Sequence, residues 1–215
     1  MRRLQFVAAS IVASGLFAVS TLPTATAQTS RDAAPRVVID NPRVRIIRTT
    51  AGLLSGVDHG PAVVVALGQS PGTKAGTAVW VDDAAAPTGI GGLNGEIVIV
   101  QPRRSSLAAP PTAAGSAPGD AQFIGMSFTP IFENDRVSTI RARMEVGARE
   151  GFHTHGSDTV VVHLSGGEIE DTADGKTVVN RWKRGDVEFE GLGSSHSARN
   201  VAGAVDVVLV VLKRP

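Results

Sequence analysis

Around residues 140–146 apolar and charged side chains alternate: Ile140, Ala142, Met144 and Val146 are separated by Arg141, Arg143 and Glu145. A period of two sends successive side chains to opposite faces of an extended backbone, so this pattern predicts a strand with one buried face. Further strand candidates span 152–155, 159–164, 187–190 and 206–212. Turn signals separate them at Gly147, Gly156-Ser157-Asp158, Gly166-Gly167, Asp174-Gly175, Gly185 and 191–195. No segment has the spacing of an amphipathic helix. Short strands recurring at regular intervals predict an all-β sandwich or barrel, in which closure shields the sheet edges.

The pattern also repeats. Asp40-Asn41-Pro42-Arg43-Val44-Arg45-Ile46-Ile47-Arg48 aligns with Glu133-Asn134-Asp135-Arg136-Val137-Ser138-Thr139-Ile140-Arg141 at an offset of 93, and Val63-Val64-Val65-Ala66-Leu67 aligns with Val160-Val161-Val162-His163-Leu164 at an offset of 97. Such a small drift predicts an internal duplication. Residues 103–121, rich in Ala, Pro, Ser and Gly, read as a linker between a first domain over 36–102 and a second over 122–215. At the N-terminus, Arg2 and Arg3 precede an apolar stretch over 6–22 and then Ala25-Thr26-Ala27. This three-part layout predicts a signal peptide over 1–27, cleaved before Gln28, and hence a secreted or periplasmic protein with no stable membrane anchor after cleavage.

Composition narrows the chemistry. With 21 basic and 20 acidic side chains among 215 residues the chain is near neutral and has no basic cluster, which argues against a nucleic-acid partner. Cys is absent, excluding disulfides, thiolate metal sites and cysteine nucleophiles; Tyr is absent as well.

Five histidines remain. His153 and His155, two apart on a predicted strand, share one face, and His196 follows a glycine-rich turn from which a returning strand would bring it beside them. Three converging neutral imidazoles suit a first-row divalent metal.

These residues resemble the cupins. Gly147, five residues, His153-Thr154-His155, three residues, Thr159, six residues and Gly166 follow the spacing of the first cupin motif, with Thr159 where the family carries Glu. Gly185, five residues, Gly191-Leu192-Gly193, two residues, His196, three residues and Asn200 follow the second, with Gly191 in place of Pro. The resemblance implies a cupin-type jelly-roll barrel, a double-stranded β-helix. With the duplication it implies two barrels in the manner of a bicupin, the C-terminal one carrying the motif histidines and the N-terminal one degenerate. It further implies one divalent transition metal (Fe, Mn, Ni or Zn) held by His153, His155 and His196. Thr159 is a poor fourth ligand, and Asp158 replaces the missing Glu only if the turn shifts the strand register. Some cupin-like dioxygenases bind ferrous iron with three histidines and no carboxylate. A homodimer is also an expectation from the resemblance.

The other polar residues are read more plainly. Thr159 and His163 line a pocket. Arg141 and Arg143 form a solvated strand face, Trp182 and the run 176–184 decorate an exposed hairpin, and Glu188 and Glu190 are surface groups. Asn200 and Gly193 belong to turns, and His59 does not form a site by itself. Two functions follow: a metal-binding barrel of unassigned, dioxygenase-like activity, or a metal-free small-molecule-binding or interaction module. Neither its substrate nor any catalytic residue is assigned from the sequence.

Overall fold

The computed structural model describes residues 34–87, 93–103 and 123–213. The signal segment 1–27 and, apart from Arg103, the linker 103–121 lie outside the described residues. Thirteen strands and no helix are described, and every pairing is antiparallel.

The first half contributes β1 (Arg36–Asp40), β2 (Val44–Thr50), β3 (Ala62–Ala66), β4 (Ala78–Val81) and β5 (Glu96–Pro102), ordered β1-β2-β5-β3-β4. The second contributes β6 (Phe123–Glu133), β7 (Val137–Thr154), β8 (Thr159–His163), β9 (Gly167–Ala173), β10 (Lys176–Trp182), β11 (Val187–Glu190), β12 (Ser195–Ala202) and β13 (Val205–Leu212). Their order is β10-β9-β12-β7-β13-β8-β11, with β6 also paired to β7.

One path through the larger sheet, β6-β7-β13-β8-β11, repeats the smaller sheet strand for strand. The registers agree as well: Ile47 pairs with Ile99 and Ile140 with Leu209, and Val63 pairs with both Val100 and Trp80 as Val160 pairs with Val210 and Phe189. Both halves open on the same Asx turn. The Asn41 side chain accepts from the amides of Arg43 and Val44, and that of Asn134 accepts from the amides of Arg136 and Val137. In place of the β9–β10 hairpin the first half has a short turn marked by a lone bridge, Ser70 to Thr73.

The core follows from the alternation. Val44, Ile46, Val63, Val65, Val98 and Val100 pack against Val137, Val160, Val162, Val208 and Val210, so one apolar core spans both sheets. The opposite face of the first sheet buries Ile47, Val64, Ile97 and Ile99 under Val57, Ala84 and Leu93. In the second half the opposite face, with Ala142, Met144, Val161 and Val207, lines a barrel interior.

Two reciprocal contacts join the halves. Arg48 donates to the Gly185 carbonyl while paired with Glu96, and Arg141 donates to the Ala75 carbonyl, beside Gly76, while paired with Asp206. Arg141 is therefore half-exposed but engaged, where the sequence predicts a freely solvated face; Arg143 keeps to that expectation and pairs with Glu145 at the surface.

The strand expected to stop before Gly147 runs on to Thr154. Gly147 adopts φ +85°, which only glycine adopts at little cost, so the chain bends without breaking. At this bend β7 changes partners: β13 pairs with it as far as Met144, and β12 from Arg149 onward. That exchange turns the corner that closes the sheet on itself.

Candidate metal centre

β7 delivers His153 and β12 delivers His196, which are direct cross-strand partners; His155 follows β7 by one residue. Alternation places His153 and His155 on one face, and antiparallel pairing sets His196 opposite them. The three rings lie with centroids 4.8, 4.8 and 5.0 Å apart. One nitrogen from each lies within 4.8 Å of the other two, and His155 Nε2 and His196 Nε2 are 3.1 Å apart.

The outer nitrogens explain this orientation. His153 Nδ1 donates to the Gly151 carbonyl at 3.0 Å, and His196 Nδ1 donates to Asp171 Oδ1 at 3.0 Å. His155 Nδ1 faces Glu190 Oε2 at 3.7 Å. With the Nδ1 atoms of His153 and His196 donating outward, their Nε2 atoms are left as acceptors on the inner side, where His196 Nε2 meets His155 Nε2. Burial, and then His196 and His153, push His155 down to about 4, so that ring is held neutral, as metal ligation requires. Two converging lone pairs at 3.1 Å repel unless a proton or a cation sits between them, so the donor set fits a divalent metal.

A carboxylate also stands on the ligand side. Glu150 Oε1 is 3.5 Å from His153 Nε2, and the side chain is 19% exposed. Burial pushes Glu150 up. Glu150 therefore flanks His153, while the ligand atoms that gather within 4.8 Å of one another are those of the three histidines. Asp158 does not take that role: Oδ2 pairs with Arg43 Nε at 2.5 Å and Oδ1 accepts from the Leu192 amide at 2.8 Å, tying the two halves together. Thr159 is buried against the cavity and pairs across strands with Glu190.

The centre opens into a cavity of about 310 Å³ inside the second half. The cavity corrects two expectations. Glu188 and Glu190, predicted as surface groups, line it because β11 is an end strand of the curled sheet whose glutamates share the inward parity of Thr159 and Val161. Burial, followed by the neighbouring Glu188, Glu150 and Asp171, pushes Glu190 up to about 8, and burial raises Glu188 as well. Trp182, expected on an exposed hairpin, lines the cavity and stacks on His163 with centroids 4.3 Å apart at 15°. His163 is buried in the wall, as its pocket assignment anticipates.

His59 is 83% exposed and bonded to Asp83, away from any such cluster. Asn200 donates to the Met144 and Gly203 carbonyls, a structural role.

Both motif segments thus meet inside an antiparallel barrel, with the two motif histidine sets on one centre. The fold is that of a cupin. Solved structures similar to the chain include a cupin domain from Bordetella pertussis Tohama I, 25% identical, covering 43% of this chain and 97% of that one with a TM-score of 0.39. A cupin 2 conserved barrel domain protein from Leptotrichia buccalis is 14% identical over 86% of this chain and 92% of its own, with a TM-score of 0.49. An RmlC-like cupin from Shewanella frigidimarina is 17% identical over 46% of this chain and 89% of its own, with a TM-score of 0.35. No family model and no curated protein matches the chain.

The cupin motifs locate the three histidines. They do not reveal Glu150, Asp171, Glu188, Glu190 or Trp182. For Glu188 and Glu190 the available signal was alternation: both share the strand parity that would turn them inward. Asp171 carries no local signal, because its role comes from the pairing of β9 with β12.

Proposed function

We propose that the second half is an exported metal-binding cupin barrel in which His153, His155 and His196 hold one divalent transition metal, with Glu150 beside His153. The observation that supports this reading best is the convergence of three imidazole nitrogens, with the tautomers of His153 and His196 set by the acceptors of their Nδ1 protons. A bound metal would act as Lewis acid or redox centre for a small molecule in the adjoining cavity. The protein's own groups orient the ligands through Asp171 and Gly151, and their apolar surroundings limit water. A protonated Glu190 beside them is a proton donor at neutral pH. The first half carries no comparable cluster among the described residues and supports the barrel by packing.

Thr159 in place of a carboxylate favours a second reading, a metal-free barrel that binds a small molecule without turnover. Metal analysis of the untagged protein separates the two. Near one equivalent of iron, manganese, nickel or zinc is expected, lost in the His153→Ala, His155→Ala, His196→Ala triple variant; wild-type protein that takes up no metal under several reconstitution conditions leaves the second reading.

A further inference from the structure

His163 is 1% exposed, yet neither ring nitrogen has a hydrogen-bond partner. Buried polar atoms are almost always satisfied, so such an orphan in a cavity wall calls for a partner that arrives with a ligand. The backbone does not account for it: the His163 amide donates to Asp186 and its carbonyl accepts from Gly185. Trp182 covers one ring face, and both residues line the cavity. Burial pushes His163 down to about 4, so the ring is neutral and offers one donor and one acceptor.

Strand register fixes its place relative to the metal centre. Thr159 pairs with Glu190, which faces His155, so Thr159 marks the metal end of β8. His163 lies four residues further along the same strand, about 13 Å at roughly 3.3 Å per residue. The wall between them is made by Val161 and, from β13, Leu209 and Val207. A largely apolar wall of this kind penalises a charged ligand body by desolvation. Arg143, the one Lys or Arg among the cavity residues, is already paired with Glu145.

We propose that the cavity is a two-ended site in which His163 hydrogen-bonds the far polar group of an uncharged, elongated, mostly apolar small molecule whose near end lies at the histidine cluster. The near end rests on the metal reading above; the far end rests on the orphaned nitrogens alone.

Three rod-shaped probes test it by calorimetry: on the zinc-loaded protein para,para-biphenol, with a hydroxyl at each end, and para-hydroxybiphenyl, with one, and on the metal-free protein, where no zinc captures it, the matching hydroxybiphenyl carboxylate beside both. Biphenol is expected to bind about ten-fold tighter than hydroxybiphenyl, the worth of one buried hydrogen bond, and the carboxylate weakest. His163→Phe, which keeps the ring stack, should erase the biphenol preference while retaining zinc, and His163→Gln should restore part of it. Equal binding of the two neutral probes to wild type, including none, or an undiminished preference in His163→Phe, overturns the proposal. Zinc content and the preference measured on metal-free protein separate the two readings. Failure to bind zinc with the preference intact overturns the metal centre alone; lost preference with zinc bound overturns the two-ended site alone.

Discussion

His163 couples the cavity to folding stability. Its folded value of about 4 lies below the ordinary 6.5 of the unfolded chain, so between those values the unfolded state binds a proton that the native state excludes. Its contribution is therefore intact above pH 6.5 and is lost as pH falls toward 4. His163→Phe removes that linkage. In urea titrations across this window the variant should lose less stability per pH unit than wild type, by up to about 1.4 kcal/mol per unit. Equal slopes would mean that His163 is protonated in the native state. Glu190 has the opposite sign: its folded value of about 8 is raised, so its contribution is complete below about 4.5 and fades as pH rises through 8. The variant comparison isolates one slope from the other.

At the scale of elements, β9 bears on the candidate metal site without supplying one of the three histidines. It pairs with β12, and Asp171 on β9 accepts the Nδ1 proton of His196 on β12. Asp171→Asn puts a neutral amide in that place and weakens the lock on the tautomer. Zinc affinity measured against a competing chelator should fall about 10- to 100-fold, with the melting temperature of the metal-free protein little changed. An unchanged affinity would remove Asp171 from the site. How much was readable beforehand follows the same division. Strands with one wet face, such as β7, declare themselves by alternation, and the motif glycines and histidines declare the ligands. Glu188 and Glu190 were legible in parity and illegible in burial, because nothing local says that β11 joins a sheet curled around a cavity. Asp171 and Trp182 owe their places to β9 and β10 folding over β12, a long-range pairing that no local spacing encodes. Glu150, three residues from His153, reaches the site because β7 bends at Gly147 instead of ending there.

At the scale of the whole molecule the two halves meet through corresponding residues, Arg48 and Arg141 each donating to a carbonyl of the other half. Exposed ion pairs contribute about 0–1 kcal/mol each, so Arg48 with Glu96 and Arg141 with Asp206 set register more than they hold the halves together. The shared apolar core supplies the cohesion. Two glycines admit the close approach: a Cβ on Gly76 would lie 2.6 Å from Leu164 Cδ1, and one on Gly185 would lie 2.6 Å from Arg48 Cζ, both at positive φ. Gly76→Ala and Gly185→Ala should each cost about 1–3 kcal/mol in chemical denaturation, by strain and by crowding at equivalent places. A neutral result at both would show the seam to be loose.

The lone Ser70 to Thr73 bridge where the second half has a full hairpin carries a last consequence. In the half with the histidine cluster that hairpin supplies Asp171 and Trp182, and the strand it packs on supplies His196. The first half is thus short of scaffold as well as of imidazoles. Histidines grafted onto β2 and β3 would be packed into apolar layers, under Val57, Ala84 and Leu93 on one face and against the second half on the other, and a working twin centre would have to be built by inserting chain between β3 and β4 rather than by exchanging side chains.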